Sequence, residues 1–158
     1  TKEGPKVLEF NARFGDPETQ AIMPRLKSDL VDLMMRSIEG RLKNHSLDWD
    51  PRPCVSVVAA SGGYPGDYEK GIEIKGMDLV KDLKDVVIFH AGTKSGKRAT
   101  DGGSTLLTDG GRVLNITALG SDIEDAINNC YNALGKIHFD KMHYRRDIGC
   151  RAVGERKA

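Results

Sequence analysis

At 158 residues the chain has room for one domain, or for one small domain joined to part of another. It carries 24 basic and 23 acidic side chains, and this formal net charge of +1 argues against a nucleic-acid-binding or anionic-membrane-binding protein. With 39% hydrophobic and 30% charged residues it is typical of a folded globular protein, and no apolar run approaches the ~20 residues that cross a bilayer.

The cysteines and the first six residues indicate the cellular compartment of the protein. Cys54, Cys130 and Cys150 are odd in number and form no C-x-x-C pair, so we expect them to be reduced and structural. The first six residues lack the basic start and apolar stretch of a signal peptide. We therefore expect a soluble, cytoplasmic protein with neither nucleic acid nor a membrane as a partner.

The first predicted element is a strand over residues 6–14. Alternation places Glu9, Asn11 and Arg13 on one face, and it gives the other face to apolar side chains: Leu8, Phe10, Ala12 and Phe14. The turn residues Gly15, Asp16 and Pro17 then interrupt the strand. Pro17 is acceptable at the first position of a helix, so a short helix is predicted over residues 18–23, ending at Pro24.

A longer helix is predicted from Ser28 or Asp29, either of which can cap it, to Leu42. Its apolar stripe recurs every four residues, at Leu30, Met34, Ile38 and Leu42. Residues 44–53 follow with two prolines and several polar side chains. This composition is typical of a boundary between subdomains.

From Cys54 onward, short β-branched runs alternate with glycines and predict a mostly antiparallel sheet. The predicted strands are residues 55–60, 72–75, 86–90, 104–107 and 112–118. Turns are expected at 101–103 and 109–111. One helix is indicated by a capping box of Ser121 and Glu124 and by an apolar face: Ile123, Ile127, Tyr131, Leu134 and Ile137. Residues 144–149 could return as a final strand. The predicted fold class is therefore α+β.

The polar face of the first strand is the candidate site. Glu9 and Asn11 lie two residues apart, roughly 6 to 7 Å along a strand, so their oxygens could converge on a divalent ion such as magnesium. Arg13 could hold a carboxylate or an acyl-phosphate oxygen. The alternative is the solvated face of an edge strand, with Glu9 and Arg13 loosely interacting.

The longer string VLEFNARFGDPETQ, residues 7–20, resembles the signature of the glycinamide ribonucleotide synthetases, or phosphoribosylamine-glycine ligases, of the ATP-grasp superfamily. The resemblance continues in the family's order through GYPGDY at 63–68, HAGT at 90–93, GGRVLNITA at 110–118 and YRRDIG at 144–149. It spans essentially the whole chain. It implies that residues 1–43 are the last strand and helices of an ATP-grasp domain, and residues 53–150 a carboxy-terminal α+β domain.

The resemblance also implies a reaction in purine biosynthesis. ATP, as co-substrate, would phosphorylate glycine, and the amine of 5-phosphoribosylamine would attack the acyl phosphate to give glycinamide ribonucleotide, ADP and phosphate. Glu9 and Asn11 match the family's ligands for Mg²⁺ or Mn²⁺, and Arg13 would be catalytic and steady glycine or its acyl phosphate. The remaining expected substrate-binding residues are Gly15, Asp16, Pro17, Glu18, His90, Gly92 and Thr93.

Structural alternatives remain for several of these residues. Residues 15–18 could be only a turn and helix cap, and His90 could be a structural strand-end histidine. Arg112 and Arg145 could contact phosphate, although solvated charge is the simpler expectation for both. Residues 63–68 are expected to pack the small domain against its neighbour.

Two departures from the family pattern matter. The nucleotide-binding lysines and glycine-rich lid would lie upstream of Glu9, so the chain alone should not turn over ATP and should need that missing portion as its partner. The segment 94–109 is also longer than expected. Rival readings are another ATP-grasp ligase or carboxylase, and a catalytically silent binding or assembly fragment.

Overall fold

The computed structural model describes residues 2–98 and 100–154; Thr1, Ala99 and residues 155–158 lie outside this description. Within these described residues, three α-helices and six strands follow one another: α1 Glu18–Ile22, α2 Leu30–Ile38, β1 Cys54–Ala60, β2 Glu73–Ile74, β3 Val86–His90, β4 Thr93–Lys97, β5 Ser104–Thr108, β6 Arg112–Leu119 and α3 Ile123–Leu134. In the described residues, no helix is both long enough and apolar enough to span a bilayer.

The strands form two antiparallel sheets of three. In the first sheet β6 lies between β1 and β3, and Ile116 stands opposite both Val57 and Ile88. In the second sheet β5 lies between β2 and β4. The prediction of a small α+β domain built mostly on antiparallel strands is confirmed.

The hydrophobic core lies between the first sheet and α3. Strands β1 and β6 send alternate apolar side chains toward the helix, among them Val57, Leu114 and Ile116, each with at most 1% of its surface exposed. The side chains of α3 that pack against them are Ala126, Cys130, Ala133 and Leu134, all fully buried. The Cys130 Sγ donates to the Ile116 carbonyl, and burial raises the pKa of this thiol to about 12. All three cysteines are free, as expected.

The cap of α3 differs from the prediction by one residue. Asp122, rather than Ser121, is the N-cap, and its Oδ1 accepts from the Asp125 amide over 2.8 Å. Asp125 reaches back and accepts from the Ser121 amide over 2.9 Å. The reciprocal capping arrangement therefore exists, but Asp125 replaces Glu124 in it.

The predicted strand over residues 6–14 is wrong for the chain as folded here. None of these residues joins a ladder, and Val7, Leu8 and Phe10 are 70%, 97% and 91% exposed. Strand backbone groups need a neighbouring strand to bond to. The alternation of polar and apolar residues is compatible with a strand, but within the described residues no second strand pairs with this segment.

Both predicted amino-terminal helices form, though shorter than expected. Pro17 is the N-cap of α1 rather than its first helical residue, and a 3-10 turn over Met23–Arg25 follows. Asp29 caps α2 by accepting from the amides of Val31 and Asp32. The helix stops before Gly40, whose φ of 68° leaves the helical region, so Leu42 falls in a separate 3-10 turn.

Two corrections concern the second half. Residues 93–97, which lie outside the predicted strands, form β4. Strand β4 pairs with β5, so most of the unexpectedly long 94–109 segment is a hairpin. Residues 144–149 form no strand; instead the Tyr131 hydroxyl donates to the Arg145 carbonyl and accepts from the Ile148 amide. The Tyr131 hydroxyl thus makes the hydrogen bonds that a neighbouring strand would otherwise make with these backbone groups.

Candidate functional site

Glu9 and Asn11 lie side by side near the start of the chain. The Asn11 Nδ2 donates to the Glu9 Oε1 over 3.1 Å, so the carboxylate and the carboxamide share one side of an exposed, extended segment. Oxygen donors of this kind suit Mg²⁺ or Mn²⁺, and Mg²⁺ commonly takes one or two carboxylates with water and phosphate oxygens. Glu9 and Asn11 could supply two such oxygens, but in this structure the Asn11 amide nitrogen faces Glu9, so the carboxamide would have to turn to present its oxygen.

No larger ligand set accompanies this pair. Among residues 2–98 and 100–154 there is no group of three or more His, Cys, Asp or Glu side chains that could hold a metal. Arg13 is exposed, and within the described residues it makes no hydrogen bond or ion pair with Glu9 or Asn11. The structure brings the two predicted metal ligands together and leaves the predicted arginine open to solvent.

The turn at residues 15–18 begins α1. The Gly15 carbonyl accepts from the Thr19 amide over 2.9 Å and from the Thr19 hydroxyl. A Cβ on Gly15 would collide with the Glu18 carboxylate, which folds back over it. The Asp16–Pro17 peptide bond is cis. This packing holds the four residues in one compact turn.

Asp16 ties that turn to strand β6. Its Oδ2 lies 3.2 Å from the Arg112 Nε, and its carbonyl accepts from the Arg112 Nη1 over 3.3 Å. Its Oδ1 accepts from the Asn115 Nδ2 and the Gln20 Nε2, each over 3.3 Å. The Asp16 carboxylate is about one-third exposed, so one side of it still faces solvent.

The predicted segment 90–93 connects β3 to β4. The His90 Nδ1 and the Thr93 Oγ1 lie 3.1 Å apart and share a hydrogen bond. A Cβ on Gly92 would come within 2.5 Å of the Gly110 Cα, so only glycine fits this approach of two backbones. The Gly92 amide donates to the Arg112 carbonyl over 2.9 Å.

Arg112 is therefore the residue at which two predicted segments meet. Its side chain holds Asp16 and its backbone holds Gly92. The sequence suggested solvated charge for Arg112, and Asn115 was not singled out at all. A usable signal existed for Asn115, because a carboxamide within the apolar run of β6 must find a partner when it is buried.

Other residues near the sequence motifs have structural roles. The Tyr64 ring covers Gly111, where a Cβ would approach the ring to 2.0 Å. Arg145 forms an exposed pair with Asp147, which holds the pKa of that carboxyl below its usual value. A cavity of about 540 Å³ lies apart from these residues and is lined by Glu73, Lys75, Arg98 and Thr105 among others.

Comparison with known proteins identifies the family. Residues 54–151 match the family model described as phosphoribosylglycinamide synthetase, C domain. Two curated relatives named phosphoribosylamine-glycine ligase are 49% identical: one from Caldanaerobacter subterraneus, over 150 residues that cover 94% of this chain, and one from Escherichia coli O157:H7, over 153 residues that cover 96%. The chain spans about a third of the length of each of these relatives.

A solved structure agrees with the sequence comparisons. The crystal structure of phosphoribosylamine-glycine ligase from Thermotoga maritima matches with a TM-score of 0.70 and 35% identity, covering 90% of this chain and 33% of that one. The match to this solved structure and the family model over residues 54–151 lead to one conclusion. The chain belongs to the phosphoribosylglycinamide synthetase C-domain family.

Proposed function

We propose that this chain is the carboxy-terminal third of a phosphoribosylamine-glycine ligase and supplies part of its metal and substrate site. The observation that carries the proposal is 49% identity to proteins of that name along nearly the whole chain. The activity would belong to the assembled parent, because the chain corresponds to only 33–34% of those relatives.

In this proposal residues 1–43 complete an ATP-grasp domain and residues 53–150 form the small carboxy-terminal domain. The missing partner is then the amino-terminal and ATP-binding portion of the same enzyme. A cytoplasmic location, as for other enzymes of purine biosynthesis, is supported by three free cysteines, which suit a reducing compartment.

Glu9 and Asn11 would hold Mg²⁺ or Mn²⁺ through their side-chain oxygens. Their contact within one exposed segment supports this assignment, since the two groups already lie on the same side of the chain. When bound, such an ion neutralises charge on the phosphates of ATP during phosphoryl transfer. Arg13 would orient glycine and stabilise the negative charge of its acyl phosphate through a planar pair of N–H donors.

The two segments that meet at Arg112 would line the substrate pocket. Residues 15–18 would contribute backbone amides and the solvent-facing side of the Asp16 carboxylate. His90, Gly92 and Thr93 would approach from the small domain, with the His90–Thr93 hydrogen bond keeping the imidazole in place. The amine of 5-phosphoribosylamine would then attack the acyl carbon and expel phosphate, leaving glycinamide ribonucleotide.

The test is a substrate-omission assay on the full-length protein. With ATP, Mg²⁺, glycine and freshly made 5-phosphoribosylamine, we expect phosphate and glycinamide ribonucleotide in equal amounts, measured by phosphate release and mass spectrometry. Omitting glycine or the amine should stop both products. Phosphate release that continues unchanged with bicarbonate or another carboxylate in place of glycine would instead assign a different ATP-dependent ligase or carboxylase.

A further inference from the structure

The contacts of the Asp16 carboxylate are more numerous than a surface turn requires. Two side chains, Asn115 and Gln20, donate to its Oδ1, and the Arg112 guanidinium forms an ion pair with its Oδ2. A carboxylate offers about four acceptor sites, so the Asp16 carboxylate can still accept from a further donor. The protein itself therefore fixes the orientation of this carboxylate.

One of the residues that donate to Asp16 lies in the centre of the first sheet. Asn115 is fully buried, and its backbone lies between two strands, opposite Val58 on β1 and Phe89 on β3. A buried carboxamide costs free energy unless it is bonded, and the bond of the Asn115 Nδ2 to Asp16 offsets part of this cost, because within the described residues its Oδ1 has no hydrogen-bond partner. Asn115 thus connects the centre of the sheet to a turn that lies 99 residues away in sequence.

Arg112 adds a second connection from the same strand. Its guanidinium contacts both the carboxylate and the carbonyl of Asp16, while its own carbonyl accepts from the Gly92 amide. Arg112 therefore contacts both the turn at 15–18 and the loop at 90–93. A displacement of the Arg112 side chain would move the turn without moving the loop.

We infer that Arg112 and Asn115 are positioning residues, which hold the Asp16 carboxylate and the 15–18 turn in register with the Gly92 loop so that substrate meets both. This inference rests on the proposed function for its kinetic consequence. Its structural part, that Arg112 and Asn115 order the turn through Asp16, is independent of any activity.

The kinetic test uses the full-length ligase with Arg112→Met, Asp16→Asn and the double variant. Arg112→Met should raise KM for glycine or for 5-phosphoribosylamine by about tenfold or more, because small misplacements of binding groups reduce productive binding. When Asp16→Asn is already present, adding Arg112→Met should raise that KM by less than about twofold further. Arg112→Lys, which keeps the positive charge, should raise KM less than Arg112→Met does.

A matched control comes from Arg98, another half-exposed strand-end arginine that pairs with two carboxylates, those of Glu73 and Asp101. Arg98→Met should leave both KM values within about twofold of wild type. If the KM increases caused by Arg112→Met and Asp16→Asn multiply in the double variant, the inference is overturned. Wild-type KM values in Arg112→Met would also overturn it.

A second measurement does not depend on activity. Hydrogen exchange of peptides covering residues 15–22 should be about tenfold faster in Arg112→Met and in Asn115→Leu than in wild type or Arg98→Met. Unchanged exchange there would refute the positioning role. If the wild-type enzyme makes no product while exchange still accelerates, the proposed function fails and the positioning role stands.

Discussion

Charged side chains around the 44–53 segment connect it to both halves of the chain. The Arg25 guanidinium donates to the Asp50 carbonyl, and Arg52 pairs with both Asp50 and Asp85. The hydrogen bonds from Arg52 hold the pKa of Asp50 well below its usual value of 3.8. A segment that composition marks as a boundary is thus held in a defined conformation.

The direction of the Asp50 shift predicts a pH dependence. A carboxyl whose pKa is lower in the folded state contributes stability that is fully present above its unfolded pKa, near 3.8, and is lost as pH falls toward the lowered value. Arg52→Met should therefore destabilise the protein most at neutral pH, and its difference from wild type should shrink between pH 4 and pH 2. Urea unfolding of both proteins at several pH values measures this.

Lys141→Met provides the comparison, because the Lys141–Glu69 pair has both side chains more than half exposed. Its effect at neutral pH should be smaller than that of Arg52→Met. A difference between Arg52→Met and wild type that stays constant down to pH 2 would contradict the assignment to Asp50.

At the scale of elements, the close approach of the β3–β4 and β5–β6 connections depends on two glycines. Gly92→Ala would place a methyl group 2.5 Å from the Gly110 Cα, where only backbone could move aside. We expect a loss of about 1–3 kcal/mol in the free energy of unfolding, measured by urea denaturation. Gly135→Ala is the control, since its Cβ meets nothing closer than 3.4 Å and its φ is −63°; it should be neutral or stabilising by less than about 1 kcal/mol.

The cap of α3 supports a second prediction at this scale. Asp122→Ala removes the acceptor for the Asp125 amide and should cost about 1 kcal/mol of stability. Asp122→Ser keeps an acceptor oxygen and should cost only a few tenths of a kcal/mol. Equal losses in the two variants, measured by chemical denaturation, would show that the side-chain cap is not the cause.

Local sequence signals were sufficient for the elements whose own residues carry an apolar pattern. β-Branched runs between glycine-containing turns indicated β1, β3 and β6, and a capping box with an apolar face indicated α3. Strand β4 was missed because Thr93–Lys97 carries no apolar alternation and exists through its pairing with β5. The pair of Asp16 and Arg112 joins residues 96 apart, so no local pattern could have indicated it.

At the scale of the whole molecule, apolar surface is concentrated in the first fifty residues. Val7, Leu8, Phe10, Val31 and Ile38 are each at least 69% exposed, whereas the buried apolar side chains all lie beyond residue 54. A groove of about 320 Å³ between α1, α2 and Trp49 has an entirely apolar lining apart from Ser37. Unpartnered apolar surface on this scale is typical of an interface. It is consistent with a first segment that completes its fold against the rest of a longer ligase.

The most direct test of the metal and substrate assignment is phosphate release by full-length ligase carrying Glu9→Ala. With ATP, Mg²⁺, glycine and 5-phosphoribosylamine, turnover should fall by ~100-fold or more, because charge stabilisation of several kcal/mol is lost. Glu69→Ala, at an exposed glutamate paired with Lys141, should keep wild-type turnover. An unchanged circular dichroism spectrum would confirm that the Glu9 variant is folded. Wild-type phosphate release in the folded Glu9→Ala protein would contradict the account.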